Sequence, residues 1–248
     1  MKKFWSWRVN ISLILIAASA LTYALHYFIF RDLRHILLYL IGDVAFLFIN
    51  VLVVTLVIEQ LLAQREKRVL MKKLNMVIGI FFSDVGLELI KKFAVFVENT
   101  GELRSQLEFS AHWQNKDYSR AMEAAKNFSY KTRVTPATLR ELRQILLRHR
   151  AFLIRLLENP SLLEHDRFTD LLWAVFHLAE ELEMREPSIE NLPEADYLHL
   201  AGDVKRAYSQ IAIEWLAYAM HLQENYPFLF SLAARTNPFS QAPTPVVH

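Results

Sequence analysis

Two stretches near the N-terminus are almost continuously apolar. The first runs from about Val9 to Phe30. The second runs from about Ile36 to Ile58 and holds Asp43 as its one charge. About 20 helical residues, rising about 1.5 Å each, cross the hydrocarbon core of a bilayer, so each stretch is long enough to span it. A cleaved signal peptide is the rival reading of the first, because Lys2 and Lys3 precede an apolar run that reaches Ala18-Ser19-Ala20. The run continues to Phe30, and Trp5 and Trp7 suit an interfacial anchor, so a retained membrane helix is expected. The flanks set the orientation. Lys2, Lys3 and Arg8 precede the first span, Arg31 and Arg34 flank Asp32 in the turn, and Arg65, Lys67, Arg68, Lys72 and Lys73 follow the second. Both ends are more basic than the turn, which predicts an inner-membrane hairpin with both termini in the cytoplasm.

After Ile58 the pattern becomes periodic, with Leu61, Leu62, Val69, Leu70, Leu74, Val77, Ile78 and Phe81 at helical spacing. No Gly or Pro separates Ile58 from Ile78, so the second span is expected to run on as one long helix. The segment Asn75–Gly86 (NMVIGIFFSDVG) is too short to cross a membrane and could lie on the lipid surface. A core helix is the preferred reading, because Leu89, Ile90, Phe93, Ala94 and Phe96 extend its stripe. Asn99-Thr100-Gly101 stops and restarts a helix. Thr135-Pro136 begins another, with Thr as cap and Pro at the first helical position. Further breaks fall at Asn159-Pro160, Glu186-Pro187, Leu192-Pro193 and Tyr226-Pro227, framing helices at about Arg167–Met184 and Glu194–Asn225. No strand pattern of useful length occurs. The predicted organisation is all-α, with a transmembrane hairpin (1–60), a juxtamembrane helix (61–98), a cytoplasmic helical bundle (99–235) and a Pro-rich flexible tail (236–248).

Composition narrows the function classes. The 248 residues are 53% hydrophobic, include five Gly and no Cys, and carry a formal net charge of +2. Such a chain is not disordered, holds no disulfide scaffold and offers no thiolate ligands. The small net charge hides opposing blocks. From Val134 to Leu157 five Arg stand against Glu141, giving +4; from Glu158 to Asp196 eleven acids stand against Arg167 and Arg185, giving −9. The basic helix alternates with Leu and Ile at core spacing and lacks an aromatic stacking platform, so pairing with the acidic block is preferred over nucleic-acid binding. The Arg65–Lys73 flank suits anionic headgroups at the membrane surface.

Candidate chemistry lies in two places. Within the hairpin, Tyr23, His26, Asp43, Asn50 and Glu59 are the polar candidates, read as an interhelical clamp before an ion or proton relay. In the helical domain, His177, Glu181, His199, Asp203, Glu214 and His221 could converge on a metal, since helical proteins place Glu and His at short helical spacings on inward faces. The order His-x-x-Glu and the absence of a repeated Glu-x-x-His pair weaken that match. No phosphate loop, dinucleotide motif or nucleophile elbow occurs, and no cofactor is expected.

The passages IEQLLAQREKRVLMKKLNMVIGIFFSDVG (Ile58–Gly86) and YPFLFSLAARTNPF (Tyr226–Phe239), with the preceding hairpin, resemble a family of uncharacterised bacterial and archaeal two-span membrane proteins. The resemblance implies the hairpin-plus-helical-domain architecture and transfers no activity. The leading functional expectation is a membrane-anchored helical module for protein interaction or self-association, with the bilayer and a second copy or protein as partners. An oligomeric channel or transport accessory, and a metal-dependent enzyme, are the alternatives. Reporter fusions check the orientation: at Asp32 the reporter is expected on the outer side, and after His248 in the cytoplasm.

Overall fold

The computed structural model describes residues 2–186 and 188–246, without the side chains of residues 2–6, 8 and 163. Of the positions singled out above, the side chains of Lys2, Lys3, Trp5 and Arg8, and all of Pro187 and His248, lie outside the described residues. The chain divides into two compact units, Met1–Lys67 and Arg68–His248.

The first unit holds helix α1 (Lys2–Phe30) and the greater part of helix α2 (Leu33–Phe81). Their connection is two residues long, and its chemistry explains its brevity. Arg31 adopts a left-handed backbone with φ 47°, and its N–H donates to the Tyr27 carbonyl at 2.8 Å. This is the single-bond cap that closes a helix C-terminus. Asp32 then caps the next helix, its Oδ1 accepting from the His35 N–H at 3.1 Å. Both helices include a stretch long and apolar enough to cross a membrane, and neither apolar window holds a buried residue.

The second unit begins within α2, whose last turns bury Leu74, Ile78 and Phe81. Asn75–Gly86 therefore contributes to the core. There the helix widens into a π-helical turn, Phe82–Gly86, before α3 (Leu87–Ala94). Neighbouring residues on a regular helix point about 100° apart. Phe81, Phe82 and Val85 are all buried, standing three, four and seven residues after the buried Ile78 on one helical stripe. Helices α4 (Thr100–Leu107) and α5 (Asn115–Asn127) follow. Helix α6 (Pro136–Leu157) opens with a capping box in which Thr135 and Thr138 exchange backbone and side-chain bonds. A 3-10 turn at Pro160–Glu164 leads to α7 (Asp166–Met184). A second at Ser188–Glu190 leads to α8 (Glu194–Asn225), and α9 (Pro227–Arg235) follows the Tyr226-Pro227 break. Among the described residues no strand forms; Val97 and Thr132 make one isolated antiparallel bridge.

Helix α8 lies at the centre of this unit. Helices α3, α5, α7 and α9 all pack on it, and it buries Leu200, Val204, Tyr208, Ile211, Trp215 and Leu216 among others. Each fully buried large side chain stabilises the fold by roughly 1.5–3 kcal/mol. The opposed charge blocks meet across α6. Arg140 pairs with Glu190, Arg143 with Glu186 at 3.3 Å and Arg150 with Glu183 at 3.4 Å, while Arg148 reaches back to Glu88 at 3.2 Å.

The flexible tail expected from residue 236 on is corrected in its first part. Phe239 is 1% exposed and Asn237 is fully buried. Asn237 accepts from the Trp215 indole N–H at 3.1 Å and donates to the Leu107 carbonyl at 3.3 Å. The Pro-rich composition concealed an aromatic anchor and an amide that satisfies two buried backbone and side-chain groups.

Two glycines test the packing in opposite directions. A Cβ on Gly202 would meet nothing within 4 Å, whereas one on Gly86 would stand 2.6 Å from Phe82 Cδ1. Gly202→Ala is expected to stabilise the protein by about 0.5–1 kcal/mol through helix propensity. Gly86→Ala is expected to cost about 1–3 kcal/mol through overpacking. Thermal unfolding followed by circular dichroism reads the two shifts, about 2–4 °C per kcal/mol, with opposite signs.

Candidate functional site

The helical hairpin of α7 and α8 brings four of the six proposed metal residues together. His177 and Glu181 stand four apart on α7, and His199 and Asp203 stand four apart on α8, so each pair shares one face of its helix. The helices run antiparallel in a register fixed by three rungs: Arg185 with Asp196, Glu181 with His199, and His177 with Asp203. His199 Nε2 lies 3.3 Å from Asp203 Oδ2 and 3.5 Å from Glu181 Oε2. His177 Nε2 lies 3.7 Å from Asp203 Oδ2 and 3.9 Å from Glu181 Oε1. Donor atoms of His177, His199 and Asp203 all fall within 4.8 Å of one another.

The surroundings are asymmetric. Asp203 is almost wholly buried, with its side chain 3% exposed, whereas the His177 and His199 side chains are 44% and 53% exposed. Arg206 Nη1 pairs with Asp203 Oδ1 at 3.1 Å, and Arg185 holds both Glu181 and Asp196. Asp203 Oδ2 has no hydrogen-bond partner.

Glu214 and His221 do not join this group, which corrects the six-residue convergence. Both lie on α8, but Glu214 turns to the start of α7. Its Oε1 lies 3.6 Å from His165 Nε2 and its Oε2 lies 3.8 Å from Arg167 Nε. His165 Nδ1 accepts from the Phe168 N–H at 3.2 Å, so the neutral ring carries its proton on Nε2, facing Glu214. Burial pushes the Glu214 carboxyl up to about 7 against the pull of Arg167, and burial together with Arg167 holds His165 below the usual imidazole range. His221 lies near Asn225 and lines a separate open cavity of about 620 Å3 with Gly79, Ser83, Tyr218, Tyr226 and Phe228.

Two groupings escaped the sequence reading. One is His165 with Glu214. The other is His149, whose Nδ1 and Nε2 lie 3.6 Å from Asp84 and 3.3 Å from Glu88. Both join residues distant in the chain, so spacing held no signal for them. The α7/α8 cluster does leave one: the pattern His-x-x-x-acid occurs in both helices.

In the first unit, Tyr23, Asp43, Asn50 and Glu59 are exposed and make no side-chain hydrogen bond or ion pair among the described residues. His26 is half-buried, its ring 4.7 Å from Phe30 and 5.9 Å from His35 between centroids. Arg65, Lys67, Arg68, Lys72 and Lys73 are exposed along α2, and none makes an ion pair with a described residue.

Residues 70–235 match the family described as "Uncharacterized protein MJ1433, C-terminal helical domain", and residues 2–62 match "MJ1433, N-terminal helical domain". The chain belongs to the MJ1433 family. Its relative "Uncharacterized protein MJ1433" from Methanocaldococcus jannaschii is 44% identical over 229 residues, covering 92% of each chain. No solved structure matches the chain. The two MJ1433 segments meet between residues 62 and 70, where the chain also divides into its two compact units. The family descriptions specify helical domains and attach no activity to them.

Glu214 supplies a pH-dependent prediction. The folded chain disfavours its ionised form, so the associated stability is present in full below the ordinary value of 4.5 and is lost as pH rises towards about 7. Glu214→Gln keeps the position neutral throughout. The variant is therefore expected to match the wild type near pH 4 and to gain on it by roughly 3 kcal/mol by about pH 8. Denaturant unfolding of both proteins at the two pH values measures the difference.

Proposed function

We propose that this protein is a two-span membrane anchor carrying a cytoplasmic helical domain, and that copies associate through the anchor. The observation that carries the reading is the uncovered apolar surface of α1 and the first part of α2. Phe28 and Phe48 are each 73% exposed, Leu21 is 72% exposed, and the apolar windows of both helices contain no buried residue. The largest apolar patch on an ordinary water-soluble monomer is about 300–600 Å2, and two bare helices of this length far exceed it. A bilayer covers such surface, and a helix satisfies its own backbone groups there. The short capped link at Arg31 and Asp32 allows two adjacent crossings, and the basic flank on α2 sits where headgroups attract it.

Asp43 supports association. It lies inside the apolar part of α2 with no partner of its own. A carboxylate in that setting costs up to about 2.5–3.5 kcal/mol at the bilayer centre and is usually paired. A second copy supplies polar neighbours that one hairpin lacks. Interhelical polar contacts in membranes contribute about 0.6–2 kcal/mol.

Membranes washed with alkaline carbonate are expected to retain the whole protein, and the detergent-extracted protein is expected to size as more than one copy. Asp43→Leu is expected to weaken association roughly 3- to 30-fold in a dilution series. Recovery in the carbonate supernatant overturns the anchor, and a strict monomer at micromolar concentration overturns association.

A further inference from the structure

One buried carboxylate oxygen in the α7/α8 cluster accepts no hydrogen bond, and it lies beside both imidazoles. Asp203 Oδ2 is buried and accepts no hydrogen bond, while the other oxygen of the same group is paired with Arg206. A buried carboxylate oxygen that accepts no hydrogen bond is costly, and such an atom in a native structure calls for a missing partner. We propose that this partner is a divalent first-row transition-metal ion, held by His177 Nε2, His199 Nε2 and Asp203 Oδ2, with Glu181 closing the fourth side.

The distances fit one ion. Nitrogen and oxygen ligands about 2.0–2.2 Å from a tetrahedral ion stand about 3.3–3.6 Å from each other. The cluster's neighbouring donors are separated by 3.3, 3.5, 3.7 and 3.9 Å. Donor atoms of His177, His199 and Asp203, one from each, lie within 4.8 Å of one another, and the half-exposed histidines can close on an ion by rotation. The backbone already supplies the arrangement, since each helix presents one imidazole and one carboxylate a turn apart, and the antiparallel register sets each imidazole against the other helix's acid.

The donor set selects the class of ion. Two imidazoles with one or two carboxylates suit zinc, manganese, iron or cobalt. Calcium and magnesium prefer oxygen alone, and copper(I) prefers the sulfur ligands that this cysteine-free chain cannot give. The local charge agrees. Asp203, Glu181 and Asp196 outweigh Arg185 and Arg206 by one negative charge while the imidazoles are neutral, so a cation is attracted. Both arginines bind the carboxylates from outside and fix their orientation, as outer partners of metal ligands do. The exposed side of His177 and His199 gives the ion a route in and leaves room for a water or small anionic ligand on its open face.

The site uses no residue of the proposed anchor, so its test is independent of membrane insertion. The full-length protein in detergent is stripped of metal and titrated with Zn2+ by equilibrium dialysis, and with Co2+ by visible absorption. One ion per chain is expected for Zn2+, with new absorption bands for Co2+. His177→Gln with His199→Gln is expected to remove the tight site, and Asp203→Asn to weaken it at least 10-fold. His221→Gln, which lies outside the cluster, is expected to bind as the wild type does. The two ligand histidines are half-exposed, so the double variant keeps the test open if Asp203→Asn fails to fold. No stoichiometric ion, or unchanged binding in a folded double variant, overturns the proposal.

Discussion

Helix α8 runs for 32 residues, and α3, α5, α7 and α9 all rest against it. Its burial is the constraint on which the second unit depends. A helix packed on several sides must be apolar nearly all round, and the polar residues it carries inward depend on what its neighbours present to them. Tyr208 and Trp215 fill space between partner helices, and Trp215 also donates to Asn237. The same geometry buries Asp203 and Glu214, eleven residues apart on one helix, and gives them different surroundings. Asp203 faces two imidazoles and an arginine near the α7/α8 loop, and Glu214 faces one imidazole and a more distant arginine near the start of α7.

Charge organises the exterior of this unit as burial organises its interior. The arginines of α6 meet Glu183, Glu186 and Glu190 on one side and Glu88 of α3 on another, so a chain with a small net charge contains strongly charged surfaces that pair with one another. Single exposed pairs contribute about 0–1 kcal/mol each. Their collective effect is on register: arginines spaced along one helix, each matched to an acid on a neighbour, leave few alternative alignments. Arg185 does the same for α7 and α8, and the cluster of His177, Glu181, His199 and Asp203 depends on that alignment.

Much of the candidate site was legible in the sequence. Imidazoles and carboxylates at short helical spacings share a face, which groups His177 with Glu181 and His199 with Asp203. Glu214 and His221 were chosen on the same grounds and belong elsewhere. The direction in which a helical face points is set by its neighbours, and α8 turns through several of them along its length. No spacing in the sequence marks His165, whose role arises from a 3-10 turn that places its Nδ1 on the Phe168 N–H and its Nε2 towards Glu214.

Local chemistry was enough to determine the helices themselves. The apolar runs of α1 and α2, the Thr135-Pro136 start, the Asn159-Pro160 and Tyr226-Pro227 breaks and the opposed charge blocks are all properties of neighbouring residues. The π turn at Phe82–Gly86, the burial of Phe239 and the unpartnered oxygen of Asp203 were decided by tertiary structure alone. Each depends on which surface approaches from far along the chain. A hydrophobic period can specify that a face will be covered, but only packing specifies what covers it.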